Sequence, residues 1–185
     1  MQTRNSTTTW GWLSIALHWI GATLIVVLLV HGWWMTHLAP RPDRAVNYAW
    51  HAALGYDALA LLVLRLLWRW MNPVPDLPSG LKAWERYAAA ASHFGLYTLM
   101  FLATLSGWAL AGTGRRPFNQ DVFGLTIPAI YTSQDRAMHD LLEDTHMVLS
   151  YCLAALVLAH LVAALRHHFI KRNDVLRRMT VGSKA

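Results

Sequence analysis

Four apolar stretches divide the chain: residues 10–36, 48–70, 87–112 and 139–169, with polar or proline-marked breaks between them. A helix crossing a bilayer takes about 20 residues, and each stretch is long enough. The pattern predicts an all-α membrane protein, a four-transmembrane-helix bundle in which residues 1–185 make one membrane domain. The first stretch differs from a secretory signal. Its apolar core, Ile15 to Val30, is too long, and Trp33 and Trp34 follow it where a small-residue cleavage site would stand. It is read as a retained helix. The linker NPVPDLPSG (72–80) turns the chain between the second and third spans. The segment 113–138, containing FGLTIP, is the one long loop, and it suits a short surface helix or a partner contact.

Composition agrees with the pattern. Of 185 residues 55% are hydrophobic and only 14% charged, where soluble domains carry about a quarter. Nine of the ten tryptophans lie near span ends: Trp10, Trp12, Trp33, Trp34, Trp50, Trp68, Trp70, Trp84 and Trp108. That is the aromatic belt of rings at headgroup level. The net charge of +6 could point to nucleic acid, but its distribution argues for membrane topology instead. The N-terminus, the 65–86 region and the C-terminal tail hold eleven Lys and Arg; Arg41, Arg44, Arg115, Arg116 and Arg136 are the five on the other side. The excess predicts both termini in the cytoplasm. Cys152 is the only cysteine, and no C-x-x-C or C-x-x-C-H occurs. Thiol redox chemistry, a thiolate zinc site and covalent c-type haem attachment are thereby disfavoured.

The ten histidines then need a reason. HMVLSYCLAALVLAH (146–160) is apolar between two terminal histidines. Fourteen helical steps separate those imidazoles by about 21 Å and return them to within about 40° of one face. Two like-facing rings at two depths suggest two sites. Given the topology, His18 and His160 share the inner half of the membrane, and His51 and His146 share the outer half. Four membrane-buried imidazoles paired by depth are what two bis-histidine haems require, each iron taking one neutral imidazole from either face. Small residues follow each candidate by about one turn: Gly21, Gly55, Ser150 and Ala164. They leave room for a porphyrin, although small residues also serve ordinary helix packing.

Rival explanations exist for each of these residues. An intramembrane histidine can bond a neighbouring helix backbone or sit on a proton path. A zinc site is disfavoured because the inner candidates lie far from the outer ones and no i, i+4 ligand pair is present. His31, His37, His139, His167 and His168 fall at interfaces. His93, at the inner end of the third span, competes with His18 for the inner iron. Asp57 is the acid well inside a span, a candidate proton carrier or part of a local polar network.

Several motifs together resemble the bacterial cytochrome b561 family: His18-Trp19, His51-x-x-x-Gly55, His93-x-x-x-Tyr97, the outer FGLTIP, His146-x13-His160 and the tail HHFIKRNDVLRRM. The wider group includes cytochrome b subunits of membrane hydrogenases and formate dehydrogenases. The resemblance covers nearly the whole chain. It implies two b haems as cofactors, with His18/His160 inside and His51/His146 outside as axial ligands of the iron. His93 would then lie near the inner haem or a quinone. It also implies exchange of electrons with quinone, ubiquinone being the expected substrate, and an association of similar proteins with superoxide oxidation.

The resulting expectation is a dihaem b-type cytochrome, multi-pass in the bacterial inner membrane, that moves electrons between an outer-side redox partner and the quinone pool. Arg115 and Arg116 in the outer loop are candidates to attract an anionic donor such as superoxide or to neutralise a haem propionate. Paired loop arginines are more often simply solvated. Two other classes stand beside this one. The chain could be the haem- and quinone-binding anchor of a hydrogenase or dehydrogenase, or a non-redox membrane binding protein.

Overall fold

Residues 2–77, 80–113, 120–122 and 125–180 are described in the computed structural model. The four apolar stretches fold as α1 (Trp12–His37), α2 (Arg44–Trp70), α3 (Ala83–Ala111) and α4 (Arg136–Leu165). Each is long and apolar enough to cross a membrane. Their outward faces carry exposed Ile20, Val30, Leu64, Phe94, Val148 and Leu158. Such a surface is a liability in water and natural against hydrocarbon, where a helix also satisfies its own backbone. The four-helix membrane bundle read from the sequence is borne out.

Local chemistry sets the helix ends. α2 stops short of Pro73, which can neither donate a backbone hydrogen bond nor continue the helix. At the start of α3 the Glu85 carboxylate reaches back to the Lys82 backbone N–H at 3.1 Å. Asp135 caps α4 by accepting from Ala137 N–H at 3.0 Å. α1 lacks a side-chain cap at Gly11 itself. Asn5 supplies one from a distance: its Oδ1 accepts from Gly11 N–H at 2.9 Å and from Ser14 Oγ at 2.7 Å. Its Nδ2 donates to the Pro73 carbonyl at 3.0 Å, tying the N-terminal segment to the end of α2.

Two local departures from the sequence reading stand out. Among its described residues, the 113–138 segment holds a short strand pair that the sequence reading did not anticipate, β1 (Gln120–Val122) antiparallel to β2 (Leu125–Ile127). α4 is followed by a π turn over Arg166–Ile170, and a short helix, α5 (Val175–Arg178), lies in the tail. The tail folds back. Trp19 Nε1 donates to the Met179 carbonyl, and Arg178 Nη1 donates to the Asp76 carbonyl at 2.6 Å. Glu85, a buried carboxylate, pairs with Arg166 at 3.3 Å and with Lys171. Both ends of the described chain therefore gather at one end of the bundle, the terminal side; the hairpin marks the loop side.

α1 packs on α2, α2 on α3 and α3 on α4, whereas α1 and α4 approach at backbone level only marginally. Ile25 and Leu28 of α1, Ala58 of α2 and Leu153 of α4 form the buried centre, with Leu54, Leu96, Leu99 and Met100 against it. The space between α1/α2 and α4 on either side of this centre is where the histidines point.

Candidate functional site

Two imidazole pairs face each other across the bundle. On the terminal side His18 of α1 meets His160 of α4, ring centroids 6.5 Å apart and planes at 74°. Toward the loop side His51 of α2 meets His146 of α4 at 6.1 Å and 83°. A metal ion bound by two opposed imidazole nitrogens at about 2 Å each sets the ring centres about 6 Å apart. Both pairs have that spacing. Leu153, seven residues from each α4 histidine and 3% exposed, stands between them with Ile25, Leu28 and Ala58. These four buried side chains are all apolar and lie between the two ring pairs.

On the loop side the ring positions are enforced. His146 Nδ1 lies 2.9 Å from the Ala103 carbonyl and 3.2 Å from Ser106 Oγ. A carbonyl only accepts, so Nδ1 carries the hydrogen and Nε2 keeps its lone pair, the tautomer a metal ligand needs. The ring presses on Gly107, where a Cβ would stand 2.9 Å from its Cε1. His51 presses on Gly32 in the same way, at 3.1 Å, and its Nδ1 is buried without a hydrogen-bond partner. Beside His51 the Gly55 position is open, with nothing within 4 Å of a built Cβ. Gly21, by contrast, lies in ordinary contact with Leu61 at 3.6 Å and spaces two helices, not a ring.

The terminal side is more crowded. His160 also faces His93 of α3, with centroids 5.5 Å apart and planes at 57°. That separation falls short of the metal-bridged spacing, and His93 as a residue is exposed. Arg65 of α2 places Nη2 3.1 Å from His18 Nδ1 and lies over the Tyr97 ring, 5.5 Å from its centroid.

Sequence reasoning assigned His31 to the interface together with His37, His139, His167 and His168. The structure adds contacts that depth alone did not give: His31 lies 5.8 Å from His51, with Nε2 3.4 Å from Asn47 Oδ1. His37 does lie exposed, stacked on Trp33. The absence of an i, i+4 ligand pair was overstated: His139 and Glu143 are such a pair, Nε2 to Oε2 3.9 Å, with Asp140 beside them. This group lies at the start of α4, two turns from His146. Asp57 is half-buried on α2. Arg115 and Arg116 lie outside the described residues. Gly32, Gly107 and Arg65 were missed as site residues, although a glycine in a span and an arginine in an apolar run are both visible signals.

Residues 9–182 match the family described as prokaryotic cytochrome b561. Cytochrome b561 homolog 2 of Escherichia coli (strain K12) is 31% identical over 182 residues, covering 97% of this chain and 95% of that protein. A probable superoxide oxidase CybB of Yersinia pestis is 27% identical over 171 residues, 90% of this chain and 93% of that one. Cytochrome b561 homolog 1 of the same Escherichia coli strain is 27% identical over 175 residues, 89% and 93% of the two chains.

Proposed function

The chain belongs to the prokaryotic cytochrome b561 family, and from that premise we propose that it holds two b-type haems and links an outer-side electron donor to the ubiquinone pool. Membership makes it a multi-pass bacterial membrane protein and a b-type cytochrome of electron transfer. The number of haems, the ligands, the donor and the quinone are our reading. The observation that carries it is the pair of ring separations, 6.5 Å for His18/His160 and 6.1 Å for His51/His146. The residues fit the group on three further counts: the His146 tautomer, the glycines that seat two rings, and the open space at Gly55.

Bound haem supplies reversible one-electron chemistry at its iron. The protein's own part is positional. His146 is held by the Ala103 carbonyl, so its Nε2 stays aimed between α2 and α4. Ile25, Leu28, Ala58 and Leu153 keep water out of the layer between the two centres. His93, exposed at the edge of α3 beside His160, is placed to pass a proton from an imidazole nitrogen to a quinone arriving from the lipid. The eleven-to-five distribution of Lys and Arg supports an inner-membrane protein, a single membrane domain with its terminal side in the cytoplasm and the His51/His146 pair toward the outer face. Superoxide is the proposed donor because a relative covering nearly the whole chain is named a probable superoxide oxidase.

Mixing purified protein with superoxide and then with a soluble ubiquinone, while following haem absorbance, tests the whole path. Reduction of both haems followed by reoxidation is expected. Failure of superoxide to reduce either haem removes that donor and moves the anchor-subunit reading ahead; reduction without reoxidation removes the quinone. His93→Ala is expected to keep both low-spin spectra and to slow quinone reduction by on the order of 10²-fold, the usual range for losing a proton-transfer group. Loss of one haem in that variant, with His18→Ala unaffected, would make His93 the ligand.

A further inference from the structure

Arg65 lies inside the apolar run of α2, half-buried, and its partners are the neutral rings of His18 and Tyr97. The ion pairs among the described residues leave it without a carboxylate. A guanidinium at membrane depth is costly unless an anion accompanies it. Arg69 follows one turn later, also half-buried, and puts a second guanidinium on the same face of α2. The terminal-side histidine cluster is thus bordered by two cations and no acid from that helix.

The contact with His18 sharpens the problem. If Arg65 donates to Nδ1, the ring hydrogen sits on Nε2, and no lone pair remains there to face His160. If His18 binds iron through Nε2, Nδ1 carries the hydrogen, and two donors then confront each other across 3.1 Å. That second state needs an acceptor oxygen that takes a hydrogen bond from both groups or draws the guanidinium aside, and a carboxylate does this most strongly because it also neutralises the buried cation. A b-type haem brings two such groups, the carboxylates of its propionate side chains.

We propose that Arg65, assisted by Arg69, binds the propionate carboxylates of the haem held between His18 and His160, and so fixes its orientation and releases His18 Nδ1 as a donor. This rests on the two-haem reading above. Arg65 is here a cofactor-binding residue, not a ligand of the iron. A positive charge beside a haem favours the ferrous state, because the ferric iron carries one more positive charge. Arg65 therefore raises the potential of one haem only.

The test uses the purified holoprotein carrying haem labelled with ¹³C at its carboxylates, with Arg65→Gln and Arg65→Lys as variants. The terminal-side haem is identified as the component missing from His160→Ala. In Arg65→Gln the ferric-to-ferrous ratio of that haem, at fixed ambient potential, should rise by about tenfold. The loop-side haem should not move, and Arg65→Lys should recover most of the change. Redox-difference infrared bands of the labelled carboxylates should shift in Arg65→Gln and return toward wild type in Arg65→Lys. Loss of the terminal-side haem in the glutamine variant, with retention in the lysine variant, also supports the assignment. An unchanged ratio with unchanged bands overturns it. So does a changed ratio with unchanged carboxylate bands, which would assign Arg65 to a free anion or lipid phosphate, and so does loss of the haem in both variants. Failure of the two-haem reading shows separately, as a wild-type haemochrome count of one haem or as two haems persisting in His18→Ala.

Discussion

His146→Ala is expected to lose chiefly the loop-side haem and His160→Ala chiefly the terminal-side one, each variant keeping about half of the low-spin absorbance. The reason is geometric. α4 is the one helix that contributes to both ring pairs, offering His146 at one level and His160 fourteen residues on, while α1 and α2 contribute one ring each. A haem iron left with one axial imidazole loses its low-spin spectrum and much of its hold on the protein. The Leu153 layer between the pairs is closely packed, so damage at one centre should stay there. Reduced-minus-oxidised spectra with a pyridine haemochrome count would read the result. Two low-spin haems surviving in either variant would show that the ring pairs are not the ligand pairs.

The spans were legible because a helix in hydrocarbon must satisfy its own backbone, which leaves few alternatives for an apolar run of such length. α1 begins and ends within two residues of the expected 10–36. The hairpin at Gln120–Ile127 was not legible, since a loop at the interface has no such constraint. Depth along the helices grouped His18 with His160 and His51 with His146, and the rings of each group do face one another in the structure. Depth alone could not say which way His31 turns, because that depends on how α1 is rotated against α2. Arg65 was counted as a topological charge; its contact with His18 joins residues 47 positions apart. Sequence spacing reveals only the small residues one turn from each histidine on the same helix. The glycines that seat the loop-side rings stand on neighbouring helices, Gly32 on α1 against His51 of α2 and Gly107 on α3 against His146 of α4.

Gly107→Leu is accordingly expected to empty the loop-side centre while leaving His146 itself intact. A Cβ at Gly107 would stand 2.9 Å from His146 Cε1 and 3.2 Å from Nδ1. The obstructing atoms belong to a ring held at Nδ1 by the Ala103 carbonyl, not to the free end of a flexible chain. The ring must move, and moving it breaks that hydrogen bond or shifts Nε2 off its line toward His51. Overpacking of this kind costs about 1–3 kcal/mol, which corresponds to roughly ten- to hundredfold weaker haem retention at that centre. Gly107→Ala should show a partial loss, and Gly21→Ala, whose Cβ meets only Leu61 at 3.6 Å, should show none. Gly55→Leu separates steric damage to a ligand from occupation of the porphyrin's own space. Its side chain begins in a region with no neighbouring atom within 4 Å. If haem fills that region, Gly55→Leu displaces the loop-side haem as Gly107→Leu does; if lipid fills it, both haems remain and the porphyrin lies elsewhere around His51.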